Sequence, residues 1–153
     1  MDIFRLNPLN ALSEGWRLEQ IAERLAANGV TDKKQFEELA RKDRLEGYLF
    51  PSTYYFKKNT PAQEVINLLK LEFDRQVSPL FAKGFPAGLD ERKVLIIASI
   101  VEREAAIPSE RPLIAAVYLN RYFKRMALEA DPTVQYSIGY REKGQTWWKK
   151  GLT

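Results

Sequence analysis

Residues 94–104 read V-L-I-I-A-S-I-V-E-R-E, an almost unbroken apolar run that ends in two carboxylates. Asp90 just ahead of it is a good N-cap, because its side chain can accept from the first free N–H groups of a helix. Glu91 falls in the first turn, where the positive end of the helix dipole favours an anion. These signals predict a helix starting after Asp90 with Glu102 and Glu104 in its last turn. The run is apolar on nearly every face, so the helix is expected to be buried on most sides. Burying an ionised carboxylate costs several kcal/mol unless it is paired, or it escapes that cost by keeping its proton. A carboxylic acid that keeps its proton is the general acid that glycosidase-type chemistry needs.

At 100° per residue Glu102 shares a face with Leu95, Ala98, Ser99 and Ala106. That face is mostly small and leaves room for a ligand. Glu104 lies nearly opposite, beside Ile97, Ile100 and Val101, and reads as a core-edge carboxylate paired with an arginine. The same structural reading applies to Glu102, and spacing alone favours it, because structural ion pairs also bury carboxylates.

Composition narrows the chemistry. The chain has 153 residues, a formal charge of +4, no cysteine and no histidine. Thiol nucleophiles, Ser-His-Asp triads and the usual zinc sites are therefore excluded, and acid–base work must fall to Asp, Glu, Lys or Tyr. The absence of cysteine fits an extracytoplasmic bacterial protein. A mild positive charge suits an anionic partner such as a cell-wall polymer, a membrane surface or a nucleic acid. No nucleic-acid-binding motif, phosphate loop or internal repeat is visible, and nucleic acid is not the expected partner. No apolar run is long enough to span a membrane.

Taken in order, 1–15 are irregular, with a turn at Asn7-Pro8. A helix is expected over 17–28, with Leu18, Ile21, Ala22 and Leu25 inward and Gly29 as its stop. Thr31 is expected to cap a short helix over 32–41 that buries Phe36, Leu39 and Ala40. The aromatic stretch 45–56, L-E-G-Y-L-F-P-S-T-Y-Y-F, predicts an extended or strand segment with a bend at Gly47 and Pro51. Its tyrosines suit either packing or a platform for sugar rings. Thr60 and Pro61 open a helix to about 77, with Val65, Ile66, Leu69 and Phe73 inward. A loop over 78–89 follows. After the break at Ile107-Pro108, Ser109 is expected to cap a helix carrying Leu113, Ile114, Val117, Tyr118 and Phe123. Asn120 and Arg121 on it suit either pairing with Glu102 or Glu104, or support of a substrate. Asp131-Pro132 starts a turn, after which Thr133, Gln135 and Tyr136 can present polar groups from a short element. Trp147-Trp148-Lys149-Lys150 make an aromatic and basic tail.

Several separated strings then line up: S-E-G-W-R-L-E-Q-I-A-E-R-L at 13–25, L-E-G-Y-L-F-P-S-T-Y at 45–54, A-S-I-V-E-R-E at 98–104, E-R-P-L-I-A-A-V-Y-L-N-R at 110–121 and D-P-T-V-Q-Y at 131–136. Their order and spacing together resemble the endolytic murein transglycosylases, the YceG-like family, over nearly the whole chain. The resemblance implies an α+β protein: a small LysM-like subdomain, in part, over 1–44, then a mainly helical catalytic subdomain over 45–153. It implies one membrane helix ahead of this portion, in the inner membrane, with this portion facing the periplasm. A family segment bearing Tyr-Asn-Thr and Gly-Leu-Pro-Pro is not in this sequence, so the catalytic part is expected to be incomplete. Ser52 stands where the family usually has Asp, and Ala130 where a Ser is common.

The catalytic Glu of the family is the first in its A-S-I-V-E string, which corresponds to Glu102. Ser99, Asn120, Gln135, Tyr136, Tyr48 and Glu46 are the implied substrate contacts. The implied reaction is non-hydrolytic cleavage of peptidoglycan strands between N-acetylmuramic acid and N-acetylglucosamine, leaving a 1,6-anhydro end. One carboxylate suffices because the nucleophile belongs to the substrate, unlike the two-carboxylate hydrolases. No metal or other cofactor is implied. Peptidoglycan synthases are the implied companions. The rival reading is a non-catalytic cell-wall glycan-binding module.

Overall fold

Leu18, Ile21, Ala22 and Leu25 recur at helical spacing, and all four are buried on helix α1 (Leu18–Ala27). In a computed structural model, which describes residues 11–148, the chain is mostly helical. It divides into two compact units, the first running to Phe85 and the second beginning at Pro86.

The first unit holds α1, α2 (Lys33–Lys42), α3 (Ala62–Gln76) and a single helical turn, α4 (Ser78–Phe81), inside the expected 78–89 loop. Gly29, at φ +67°, ends α1 in the left-handed conformation that glycine tolerates. Its N–H donates to Ala26 O at 2.9 Å, and that of Val30 to Leu25 O at 2.9 Å. Asp32, not Thr31, caps α2: its carboxylate accepts from the Gln35 N–H at 2.7 Å, while Thr31 is buried. Thr60 also does not cap. Its hydroxyl donates back to Lys57 O at 2.8 Å and closes the turn that leads into Pro61 and α3. Phe36, Leu18, Leu25, Val65, Ile66 and Leu69 fill the centre, each worth about 1.5–3 kcal/mol on full burial.

The expected strand over 45–56 is not formed. Among the described residues extended pairing is limited to two isolated bridges, Ala11 with Thr53 and Arg141 with Thr146, so the α+β expectation gives way to a mostly helical class. The reason lies in where the segment packs. Gly47, at φ +86°, turns the chain, and Tyr48 N–H donates to Leu45 O at 2.9 Å. Leu49 then enters the helical core, with Leu45, Tyr54 and Phe56 against it. Among the described residues, its backbone pairs with another extended segment only at the Ala11–Thr53 bridge. The boundary expected at 44/45 accordingly falls inside the first unit.

The second unit is built on α5 (Glu91–Glu104), α6 (Arg111–Phe123) and α7 (Asp131–Ile138), with a 3₁₀ turn at Pro108–Glu110. Asp90 caps α5 as expected, accepting from the Lys93 N–H at 2.9 Å. The helix is not buried on most sides. Ile97, Ile100 and Val101 form one inward stripe, while Ile96 is 47 % exposed. Within the unit α6 and α7 are the helices that pack most closely on it, and two helices cover one face. Of the apolar surface expected on α6, Tyr118 is buried and Ile114 joins the core, but Leu113 is 71 % exposed. Asp131-Pro132 opens a helix rather than a turn, since proline at the start needs no N–H partner. The Asn7-Pro8 turn, Lys149 and Lys150 lie outside the described residues. Among the described residues no helix is long and apolar enough to cross a membrane.

Candidate functional site

Glu102 stands in the last turn of α5, one turn beyond Ala98 and Ser99. Ala98, Ser99 and Ala106 are all exposed, so the small-residue face around the glutamate is open. The Ser99 hydroxyl is turned to its own helix and donates to Ile96 O at 2.7 Å. Glu102 itself is half-buried, with 32 % of its side chain accessible, and its Oε2 lies 3.1 Å from an Nη of Arg111.

Local sequence explains the arginine. Ala105 leaves the helix in an extended conformation, and Pro108–Glu110 wind a 3₁₀ turn. The Ile107 N–H donates to the Glu110 carboxylate at 3.4 Å, which closes that turn. The chain thereby reverses and delivers Arg111, the first residue of α6, to the end of α5. An ion pair this open to solvent is worth about 0–1 kcal/mol.

Glu104 has a different setting. It accepts from the Tyr118 hydroxyl at 3.3 Å. Burial, and then the charge of Glu104, push the Tyr118 phenol above its usual range. The two residues line a groove of about 260 Å³ with Ile114, Val117, Arg121, Leu128 and Glu129; Glu102 does not line it. Arg121 reaches neither Glu102 nor Glu104. The chain doubles back after α6, with Arg125 at φ +56°. Arg121 Nε donates to Ala127 O at 2.8 Å, and its guanidinium pairs with Glu129.

On the other flank of α5, the Arg103 guanidinium sits 3.9 Å from the centre of the Trp148 ring, a cation–π contact. A short knuckle presents that tryptophan: Arg141 and Thr146 bridge, and Trp148 N–H donates to the Thr146 hydroxyl at 3.0 Å.

The expected substrate contacts divide between the units. Ser99, Asn120, Gln135 and Tyr136 belong to the second, on helices that pack together. Asn120 is exposed, Gln135 half-buried and Tyr136 41 % exposed. Glu46 and Tyr48 belong to the first unit, where both have structural work. The Glu46 carboxylate accepts from the Leu18 N–H at 3.2 and 3.3 Å, holding the start of α1. Tyr48 packs on Phe73 with ring centres 5.1 Å apart. Sequence reading missed Arg111 and Tyr118 as the partners of the two glutamates. Pro108 signalled the reversal, but a helix expected to be capped at Ser109 left Arg111 in an unremarked first turn.

The YceG-like family matches residues 7–151 of the chain. An endolytic murein transglycosylase of Streptococcus pneumoniae (serotype 2, strain D39) is 38 % identical over 96 residues, covering 63 % of this chain and 17 % of the relative. One of Bacillus subtilis (strain 168) is 36 % identical over 99 residues, covering 64 % of this chain and 28 % of the relative. A crystal structure of a YceG-like protein from Listeria monocytogenes shares the fold with a TM-score of 0.69 at 27 % identity, covering 93 % of this chain and 54 % of that one. The matched stretch thus spans 17 % and 28 % of those two curated relatives.

Proposed function

Because the chain belongs to the YceG-like family, we propose that it is the part of an endolytic peptidoglycan transglycosylase that carries the reacting carboxylate, Glu102. The observation that carries this reading is the open face around Glu102. Its neighbours one turn back, Ala98 and Ser99, are small and exposed, and the carboxylate is partly accessible, so a saccharide has an approach. The relatives' shared designation, endolytic murein transglycosylase, supports the substrate class.

In this reading Glu102, protonated, gives its proton to the glycosidic oxygen between N-acetylmuramic acid and N-acetylglucosamine as that bond breaks. The carboxylate then takes the proton of the muramoyl 6-hydroxyl while that oxygen bonds to C1. A 1,6-anhydro end results, and no water is consumed. Holding the hydroxyl near C1 supplies much of the acceleration by proximity. Ser99, Asn120, Gln135 and Tyr136 orient the strand from the second unit. A LysM-like subdomain over 1–44 that grips glycan, an inner-membrane anchor, a periplasmic setting and peptidoglycan synthases as companions complete the proposal.

The Arg111 contact favours a second reading, in which Glu102 is structural and the chain only binds cell-wall glycan. Glu102→Gln discriminates. The catalytic reading expects release of anhydromuramyl products from purified peptidoglycan to fall by at least about a hundredfold, the usual weight of a general acid. Equal release by both proteins would defeat it.

A further inference from the structure

The groove at the end of α5 has a charge opposite to that of the chain. Its walls hold two carboxylates, Glu104 and Glu129, and one guanidinium, Arg121, a net charge of −1 in a chain of formal charge +4. Arg121 is already held at two points, its Nε on Ala127 O at 2.8 Å and an Nη on Glu129. The uncompensated charge is therefore that of Glu104. Its carboxylate meets the neutral Tyr118 hydroxyl at 3.3 Å and, among the described residues, no cation. Ile114 and Val117, one turn apart on α6, and Leu128 on the return segment make the rest of the wall apolar, and Val117 is 50 % exposed. At about 260 Å³ the space falls below the roughly 300–1,000 Å³ of pockets that enclose whole small molecules, so it suits one long side chain. A compact cation on an aliphatic stem answers each feature: an ammonium for Glu104, methylenes for the apolar wall.

Murein stem peptides carry such a group, the side chain of a diamino acid. Resting on the reading of Glu102 as the reacting group, we propose that the groove takes this side chain when its amine is free. The ammonium donates to the Glu104 carboxylate and to the Tyr118 oxygen, and the methylenes cover Ile114, Val117 and Leu128. The reach agrees. Glu104 is the last residue of α5, two after Glu102, so the two carboxylates are offset by about 3 Å along the axis and face opposite flanks. A helix with its side chains is about 10–12 Å across. A diamino acid three residues out on an extended stem lies about 10 Å from the muramoyl sugar. The sugar can stay at Glu102 while the stem passes round the end of the helix, with no further turn of α5 in the way. Glu104 and Tyr118 are thus specificity-determining residues, which select stems with an uncapped diamino side chain over stems acylated there, as in a cross-link.

The test measures calorimetric binding, to the full chain, of a soluble disaccharide bearing one stem peptide with its side-chain amine free or acetylated. Acetylation is expected to weaken binding about tenfold, the scale of one charge-assisted hydrogen bond. Glu104→Gln keeps the shape and should bind both forms alike, while Glu104→Lys should favour the acetylated form. Glu142→Gln, which removes an exposed carboxylate outside the groove, should keep the full difference. Each variant is checked for an unchanged thermal transition. Equal binding of the two forms by the unaltered chain, a full difference retained by Glu104→Gln, or a difference lost equally in Glu142→Gln overturns the proposal. A dimer in sedimentation that Val117→Asp dissolves would put a second copy of the chain in the groove and overturn it too. Glu102→Gln separates the groove from the catalytic assignment. An amine preference that survives in that variant supports the groove whether or not the unaltered chain releases product. Glu102-dependent release of anhydro ends with no amine preference sinks the groove alone.

Discussion

Glu19 and Glu102 are both carboxylates within reach of an arginine, and their settings differ in kind. Glu19 is buried on α1, 2.6 Å from Arg41 and 3.2 Å from Arg17. Burial pushes its carboxyl up, but the hydrogen bonds from Arg41 and Arg17 and the charge of Arg17 outweigh that and hold it below the ordinary value of 4.5. A carboxyl lowered in the folded state contributes stability that is present above its unfolded pKa and lost as pH falls through its folded one. Glu19→Gln should therefore destabilise the first unit by about 1–3 kcal/mol at neutral pH. It should also flatten the decline in thermal stability on acidification below that ordinary value, as read by melts from neutral pH downward. An unchanged acid profile would mean that Glu19 is not the titrating group. Glu102 is half-open beside one arginine, so its substitution should leave the melt nearly unchanged and act on chemistry. Spacing along the sequence could show the small face around Glu102. It could not choose between Glu102 and Glu104, because the choice depends on a reversal at Ala105 to Glu110 that brings Arg111 to one glutamate and on a tyrosine fourteen residues on that reaches the other. The resemblance in the A-S-I-V-E string made that choice.

For the helices, periodicity was informative wherever a stripe had a full layer to pack on. The stripes of α1 and α3 are buried as their spacing implies. Caps were legible in type but one residue off where two acceptors compete, as at Thr31 and Asp32. Asp32→Ala should cost about 1 kcal/mol, whereas Thr31→Ala should not act through helix capping. Apolar content misled on α5 and α6, because composition cannot say how many neighbours a helix has. The contrast is measurable by denaturant unfolding. Phe36→Ala, in a fully buried site, should cost about 3–5 kcal/mol, while Leu113→Gln, on the exposed face of α6, should stay within about 0.5 kcal/mol. A large loss at Leu113 would show that its face is covered in solution. The aromatic stretch 45–56, expected to be extended or a strand, pairs as a strand only at one bridge among the described residues, because its apolar side chains pack on the helical core.

Across the whole chain, the two units differ in the depth of their cores. The first buries Phe36, Leu18, Leu25, Ile66 and Leu69 together. The second centres on Ile97, Ile100, Val101, Tyr118 and Ala130 and leaves much of α7 exposed. Amide hydrogen exchange should accordingly be slowest in α1 and α3 and fastest in α7, since opening energies follow buried apolar contact. Equal protection in α7 and α3 would contradict that ranking. In the proposed function, Glu102 at the end of α5 gives a long polymer an open approach rather than an enclosed pocket. Glu102 in the proposed function breaks the glycan without consuming water. Digesting peptidoglycan in ¹⁸O-labelled water and weighing the new muramoyl ends tests it directly. The new ends should be lighter by one water than hydrolytic ones, free of label, and lost in Glu102→Gln. Labelled ends, or unlabelled anhydro ends that persist in Glu102→Gln, would contradict it.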